Sequence, residues 1–453
     1  MNCEQEYNQC FERLTWACAR LGAEVASEGL AEIAQLIVQP MTGTWRHFHT
    51  PQHIFDVGGQ DDPIEVLAAL FHDLVYVQVD LSVNFNLSYY ISPFSQELDG
   101  KLQIRPRDKL PADRSFEMVL AVFGFSPGQV LSPLAGQNEF LSAAVAAKVL
   151  ETFLTPQQIL EIVACIEATI PFQYVLENGL TVSDRLFYRL KDANCRFDLN
   201  LSETGLRETV KRAVRVANRD VLGFAHTSSA IFLDNTWNLL PETNHNLMHI
   251  NAYTVREYRV ALQKMEGFMN FLTAEVVFRQ FDGEPDDETY RHMVDMARKN
   301  IEVARLYLGS KLFAIAVVEA LSLRVGLSIP LSTMMGDHPS QTPKCAQLED
   351  FIPDIQTKHP PQTDLEREVL TLLSRGRTQN AAYDIKHSPL ATFMVKLVGF
   401  EEIRRQRQRA QEFFQETRSA EDFLAGCDPQ LIEAIATGVL QLFDSRKSAL
   451  IGS

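Results

Sequence analysis

The spacing of its apolar residues constrains this chain more than any other feature. In "TPQQILEIVACIEATI", from Thr155, and "FLSAAVAAKVLETFL", from Phe140, they recur every three or four residues. That is the period of a helix buried along one face. Thr155 suits an N-cap, and Pro156 the first helical position, where a missing N–H costs nothing. "AEIAQLIVQP", "TVREYRVALQKMEGFMNFLTAEVVF" and "DDETYRHMVDMARKNIEVARLYL" keep the same rhythm. The pattern predicts an all-α protein. The longest apolar run, "KLFAIAVVEALSLRVGLSIPL" from Lys311, is interrupted by Glu319 and Arg324. It reads as a buried helix leading into a loop, not as a membrane span.

Two stretches break the rhythm. Between 77 and 137, "VQVDLSVNFNLSYYISPF", "LQIRPRDKLPADRS" and "FGFSPGQVLSPLAGQ" are strand-like and rich in turn residues. A helix signal survives only near Met118, so a loop-rich insertion is expected there, either a lid or a surface elaboration. Between 326 and 363, Pro330, Pro339, Pro343, Pro353, Pro360 and Pro361 give linker composition. The expected organisation is a larger domain over 1–325, a linker over 326–363 and a smaller helical domain over 364–453. The last is built from "DLEREVLTLLSRG", "PLATFMVKLVGFEEIRRQRQRAQEFFQET" and "PQLIEAIATGVLQLFDS".

The net charge of -16 argues against a nucleic-acid polymer as partner, because such binding rests on Lys and Arg neutralising phosphates. The one basic run, "IRRQRQRAQ" from Ile403, reads as a solvated helix face. Seven scattered cysteines, never spaced C-x-x-C, form neither a disulfide framework nor a zinc knuckle and suit reduced thiols in a cytoplasmic chain. The opening "MNCEQEYNQCFERLTWACARLG" has no apolar core of signal-peptide type.

The histidines are the chemical signal. Of eleven, His47, His49, His53 and His72 fall within one short span. His49 and His53 are four apart and share a helix face. Thr50 and Pro51 read as the helix start, with His49 at its mouth and His53 one turn inside. His72 and Asp73 follow on "IEVLAALFHDLVY". Adjacent helical side chains diverge by about 100°, so both reach one ion only by straddling a cavity. A lone histidine on an apolar face is ordinarily a hydrogen-bonded core residue. A carboxylate directly after an apolar run is harder to explain, since burying Asp73 without a partner is costly. A divalent cation removes that cost, and mixed His nitrogen and Asp oxygen suits Mn, Fe, Ni, Zn or Mg. His47 reads as solvated. His245 and His249, also four apart, lie in the Asn-rich "FLDNTWNLLPETNHNL", which reads as a loop. "EPDDETY", from Glu284, lacks the glycine of a calcium loop and reads as an acid-rich helix start.

The order His, His-Asp, distant Asp resembles the HD-domain superfamily of metal-dependent phosphohydrolases. "HFHTPQHIFDV" is similar to the "YHN-x-x-H" element of its predicted small phosphohydrolase branch and of cyclic-nucleotide phosphodiesterases. "LAALFHDLVY" resembles that branch's "AAWFHDVVY", and "NEFLSAAVA" its "NE-x-x-SA". "CIEATIPF" resembles "I-x-x-T-x-x-H" without the final His, and "VANRDVLGFA" resembles "DADLAILG" with Asn218 in place of the first Asp. "YTVREYRV" and "ARKNIEVA" match "IR-x-EY" and "AR-x-NL". The resemblance spans roughly 40–310, without the insertion or the C-terminal third.

The resemblance implies an all-α HD fold and a divalent metal held by His53, His72, Asp73 and Asp220. His49 would protonate a leaving group, Asp73 would orient the attacking water, and Glu139 would stand beside the site. Tyr76, Arg256 and Lys299 become candidates for contacting substrate; Arg256 could instead pair with Glu257 or Asp220. No histidine lies between Asp73 and Asp220, which argues for one protein-ligated ion. The expected activity is hydrolysis of a small phosphorylated, nucleotide-like substrate by metal-activated water. The alternative is a nucleotide-binding or sensing module that signals to a partner protein without turnover.

Overall fold

The computed structural model describes residues 3–175, 179–339 and 345–451. The chain forms two compact units. The first comprises Met1–Ala225 and Ala274–Asp295, the second His226–Thr273 and Met296–Ser453. Both are helical, and the described residues contain one sheet of two strands.

The first unit contains α1 (Cys3–Arg20), α2 (Ser27–Met41), α3 (Pro51–Gly58) and α4 (Pro63–His72). After an intervening segment follow α8 (Gln137–Leu150), α9 (Pro156–Ala168), α10 (Val182–Arg196) and α11 (Glu203–Asp220). Helix α4 is central. Asp62 caps it by accepting from the backbone N–H groups of Ile64 and Glu65, and Pro63 supplies the first turn. Every residue from Ile64 to His72 is buried. It packs against α1, α3, α8, α9 and α11, so Leu67→Ala here should cost roughly 2–5 kcal/mol. Helix α9 starts as its sequence predicts, with a reciprocal capping box between Thr155 and Gln158.

Segment 77–137 holds more regular structure than its turn-rich sequence suggests. It contains α5 (Val77–Asp80), α6 (Phe85–Ile91), the hairpin β1 (Ser95–Leu98) with β2 (Lys101–Ile104), and α7 (Arg114–Phe123). The strands are antiparallel, with Ser95 opposite Ile104. The turn between them places Asp99 and Gly100 at φ 50° and 71°, the left-handed pair that a two-residue hairpin requires. Asn84 and Asp113 cap α6 and α7. The segment is anchored by Phe94 stacked on Phe116, which meets Phe140 of α8 edge-on.

The second unit contains α12 (Ser229–Thr243), α13 (Val255–Phe271), the part of α14 (Asp287–Ser322) from Met296 onward, α15 (Leu331–Met335), α16 (Asp364–Arg375), α17 (Pro389–Phe414), α18 (Ala420–Ala425) and α19 (Pro429–Ile451). Helix α12 covers most of the Asn-rich stretch expected to be a loop. Phe232, Leu233, Trp237 and Leu240 are buried at helical spacing, and their burial overrides the weak propensity of the asparagines. His245 opens a short 3₁₀ turn after α12, and His249 follows that turn.

The Pro-rich stretch 326–363 lies inside the second unit. Its start is stitched to α13: the Val255 N–H donates to the Ile329 carbonyl and the Leu331 N–H to the Tyr253 carbonyl. Pro343 lies outside the described residues. Three of the four arginines of the basic run pair with acids, Arg404 with Glu366, Arg405 with Glu402 and Arg407 with Glu266, and Arg409 donates to the Asp422 carbonyl. Among the described residues, no single helix is long and apolar enough to cross a membrane.

Candidate metal centre

Three helix ends of the first unit converge. His53 lies in the first turn of α3, His72 is the last residue of α4, and Asp220 is the last residue of α11. Asp73 is the C-cap of α4, at φ -104° and ψ 15°. Leaving the helix there frees its side chain from the divergence expected of two helical neighbours.

The four side chains form one cluster whose candidate ligand atoms lie within 4.8 Å of one another. His53 Nε2 is 3.0 Å from Asp220 Oδ1 and 3.4 Å from Asp73 Oδ2. His72 Nε2 is 3.0 Å from Asp73 Oδ2 and 3.5 Å from Asp220 Oδ1. Two donors about 2.1 Å from one ion lie about 3.0 Å apart at right angles and about 3.4 Å apart in a tetrahedron. The cluster therefore has the dimensions of a coordination sphere and can hold a metal ion.

The protonation pattern fits that reading. His72 Nδ1 lies 2.8 Å from the Ala69 carbonyl. Only a protonated nitrogen can bond there, which leaves Nε2 to face the carboxylates. His72 Nε2 and Asp73 Oδ2 are buried without a hydrogen-bond partner among the described residues. Such atoms are costly unless a cation satisfies them.

In the protein alone, protons do part of that work. Burial opposes a charged His53, but Asp220 and Asp73 outweigh it and lift the imidazole to about 9. His72 is raised in the same way. Burial would raise both carboxyls; His72 and His49 hold Asp73 well below the carboxylate range, and His53 and His72 hold Asp220 at about 2.

The cluster's neighbours include several residues singled out from the sequence. The His49 ring lies 5.7 Å from that of His53 and 4.5 Å from that of Tyr76. His49 precedes the Thr50 N-cap, so it stands just outside α3. Burial pushes the Glu139 carboxyl up to about 8, and Asp73 and Asp220 add to the rise. Its Oε2 has no hydrogen-bond partner among the described residues. The residues flanking Glu139 brace the loop after Asp73: Asn138 Oδ1 accepts from the Val77 N–H and Ser142 Oγ from the Val75 N–H. His47 is half-buried rather than solvated.

Arg256 and Lys299 belong to the second unit. Arg256 is exposed and pairs with Glu416, and Lys299 pairs with Glu368.

Two arginines were not singled out from the sequence. Arg46 donates to the Asp73 carbonyl and grips both oxygens of Asp80, fixing the chain on either side of Tyr76. Arg279 arrives from the returning segment 274–295. Its backbone N–H donates to Asn218 Oδ1, whose amide donates back to the Arg279 carbonyl, two residues before Asp220. Burial lowers the Arg279 guanidinium to about 10 against the pull of Glu167 and Asp220, with Arg185 and Arg189 adding to the fall. Arg46 stands beside the histidine cluster in sequence and was legible there; for Arg279 no local signal existed.

No family model matches this chain, and no curated protein and no solved structure matches it.

Proposed function

We propose that the first unit is an HD-type, metal-dependent phosphohydrolase acting on a small phosphorylated, nucleotide-like molecule. The reading is carried by the convergence of His53, His72, Asp73 and Asp220 with their ligand atoms inside 4.8 Å. It is supported by the order of these residues along the chain and by the titratable groups beside them. Mn, Fe, Ni, Zn and Mg all accept this donor set.

His53, His72, Asp73 and Asp220 would hold one divalent ion, which supplies Lewis acidity toward the phosphoryl group and lowers the pKa of water. Asp73 keeps a second oxygen to orient the attacking water. His49, outside the ligand set and against Tyr76, donates a proton to the departing oxygen. Arg279, with Arg185 and Arg189 near it, supplies positive charge close to Asp220, where an anionic phosphate would gather. Glu139, carrying a proton near neutral pH, can donate a hydrogen bond toward the cluster.

The test is inorganic phosphate release from a panel of nucleoside mono-, di- and triphosphates, together with conversion of cyclic nucleotides to nucleoside monophosphates, with Mn, Fe, Ni, Zn or Mg added. Turnover by wild type that disappears in His72→Ala and Asp73→Ala is expected. Binding of a nucleotide with no turnover under any metal would replace the enzyme with the sensing module.

A further inference from the structure

The second unit contains a partly open cavity of about 120 Å³, lined entirely by its own residues. Part of the wall is apolar, including Ala314 and Ile315 of α14 and Leu390 of α17. Tyr258 of α13 and Lys311 of α14 also line it.

Several polar groups around this cavity pair with one another. Tyr253 Oη donates to the Tyr383 carbonyl and Tyr383 Oη to the Trp237 carbonyl. Trp237 Nε1 and Lys311 Nζ both donate to Asp384 Oδ2, at 2.7 and 2.9 Å. Tyr258 is 5% exposed, and its hydroxyl has no hydrogen-bond partner among the described residues. A buried hydroxyl left unpaired costs about 1–3 kcal/mol, which phenylalanine would avoid. Lys311 carries three N–H donors and spends one on Asp384.

Size and charge narrow the occupant. A cavity of roughly 150 Å³ accepts a benzene-sized molecule, so this one suits a single ring projecting toward its open side. The buried charges balance: Lys311 and Arg377 face Asp384 and Asp234. Toward the mouth, His387 pairs with Glu349. A charged ligand would bring an uncompensated charge into this setting. We infer that this cavity is a binding site for a small uncharged aromatic molecule bearing one acceptor oxygen, which takes a hydrogen bond from the Tyr258 hydroxyl.

Benzamide, benzoate and benzylammonium, titrated into the full-length protein by ligand-observed NMR, test the inference. Benzamide should bind in about the millimolar range or tighter, and both ions at least about tenfold more weakly. Tyr258→Phe keeps the ring, and should weaken benzamide about tenfold while leaving toluene unchanged. Ala314→Leu fills the cavity and should abolish binding of both. Failure of benzamide to bind wild type would mean the hydroxyl meets only water, and would overturn the inference. Benzamide binding indifferent to Tyr258→Phe, or tighter binding of benzoate, would overturn it as well. Should Ala314→Leu fail to fold by circular dichroism, the isosteric Tyr258→Phe comparison with toluene decides alone.

Discussion

Arg219 Nη2 donates to Glu65 Oε2 at 2.6 Å, joining α11 to α4 one residue before Asp220. The same guanidinium donates through Nε to the Val57 carbonyl near the end of α3. One side chain thus ties together the three helices that carry His53, His72 and Asp220. Glu65 is buried and also receives Arg215 at 2.6 Å. Removing one partner of a buried ion pair costs about 3–5 kcal/mol, because the other is left uncompensated. Glu65→Ala should therefore lower stability by about 3 kcal/mol in denaturant unfolding. It should also weaken metal binding about tenfold by calorimetry, although Glu65 is no ligand.

His49 stands outside the four-residue cluster, so its loss should separate chemistry from metal binding. His49→Ala should retain wild-type metal content while phosphate release falls about 10²–10³-fold. A variant that loses metal together with activity would make His49 a ligand instead of a proton donor.

On the proposed reading, Arg279 would supply charge that a phosphate needs but a metal ion does not. Arg279→Lys preserves a cation and loses the planar fork. Its kcat/KM should fall about tenfold or more at unchanged metal content, with Arg279→Ala lower still. Metal content measured alongside steady-state kinetics checks this.

Stability of the second unit should depend on the charge of Asp384. Burial would raise its carboxyl, but Lys311 and Arg377, with hydrogen bonds from Lys311 and Trp237, hold it below its ordinary value of 3.8. A carboxyl depressed on folding stabilises above its unfolded pKa, and that stabilisation is lost as pH falls through the folded value. Asp384→Asn should cost about 3 kcal/mol at pH 7, where Lys311 loses its counter-charge. The gap from wild type should begin to narrow below about pH 4, as the unfolded chain takes up the proton, and close only once pH falls below the depressed folded value. Urea unfolding of the full chain at several pH values measures both.

Most helices were legible because burial of one face imposes its period on the sequence. Thr155 and Pro156 even marked the start of α9. The candidate metal cluster was legible in part. His53, His72 and Asp73 stand close together in the chain, and a carboxylate after an apolar run demands a counter-charge. Asp220 needed the resemblance, since nothing local marks the end of α11 as facing α4. The break after Ala225 was hidden because a unit completed by 274–295 is defined by contacts between distant segments. Composition alone also misled at 326–363, where prolines read as a linker although the backbone at Ile329 and Leu331 bonds to α13 and Tyr253. Arg279 was invisible for the same reason: its partner Asn218 is 61 residues away.

The central claim is that the histidines cluster to bind metal. Elemental mass spectrometry of purified wild type and of the His72→Ala, Asp73→Ala double variant tests it most directly. About one equivalent of a divalent metal in wild type, absent from a double variant that remains folded, is the predicted result. No metal in wild type, even after soaking with Mn, Fe, Ni, Zn and Mg, would contradict the account.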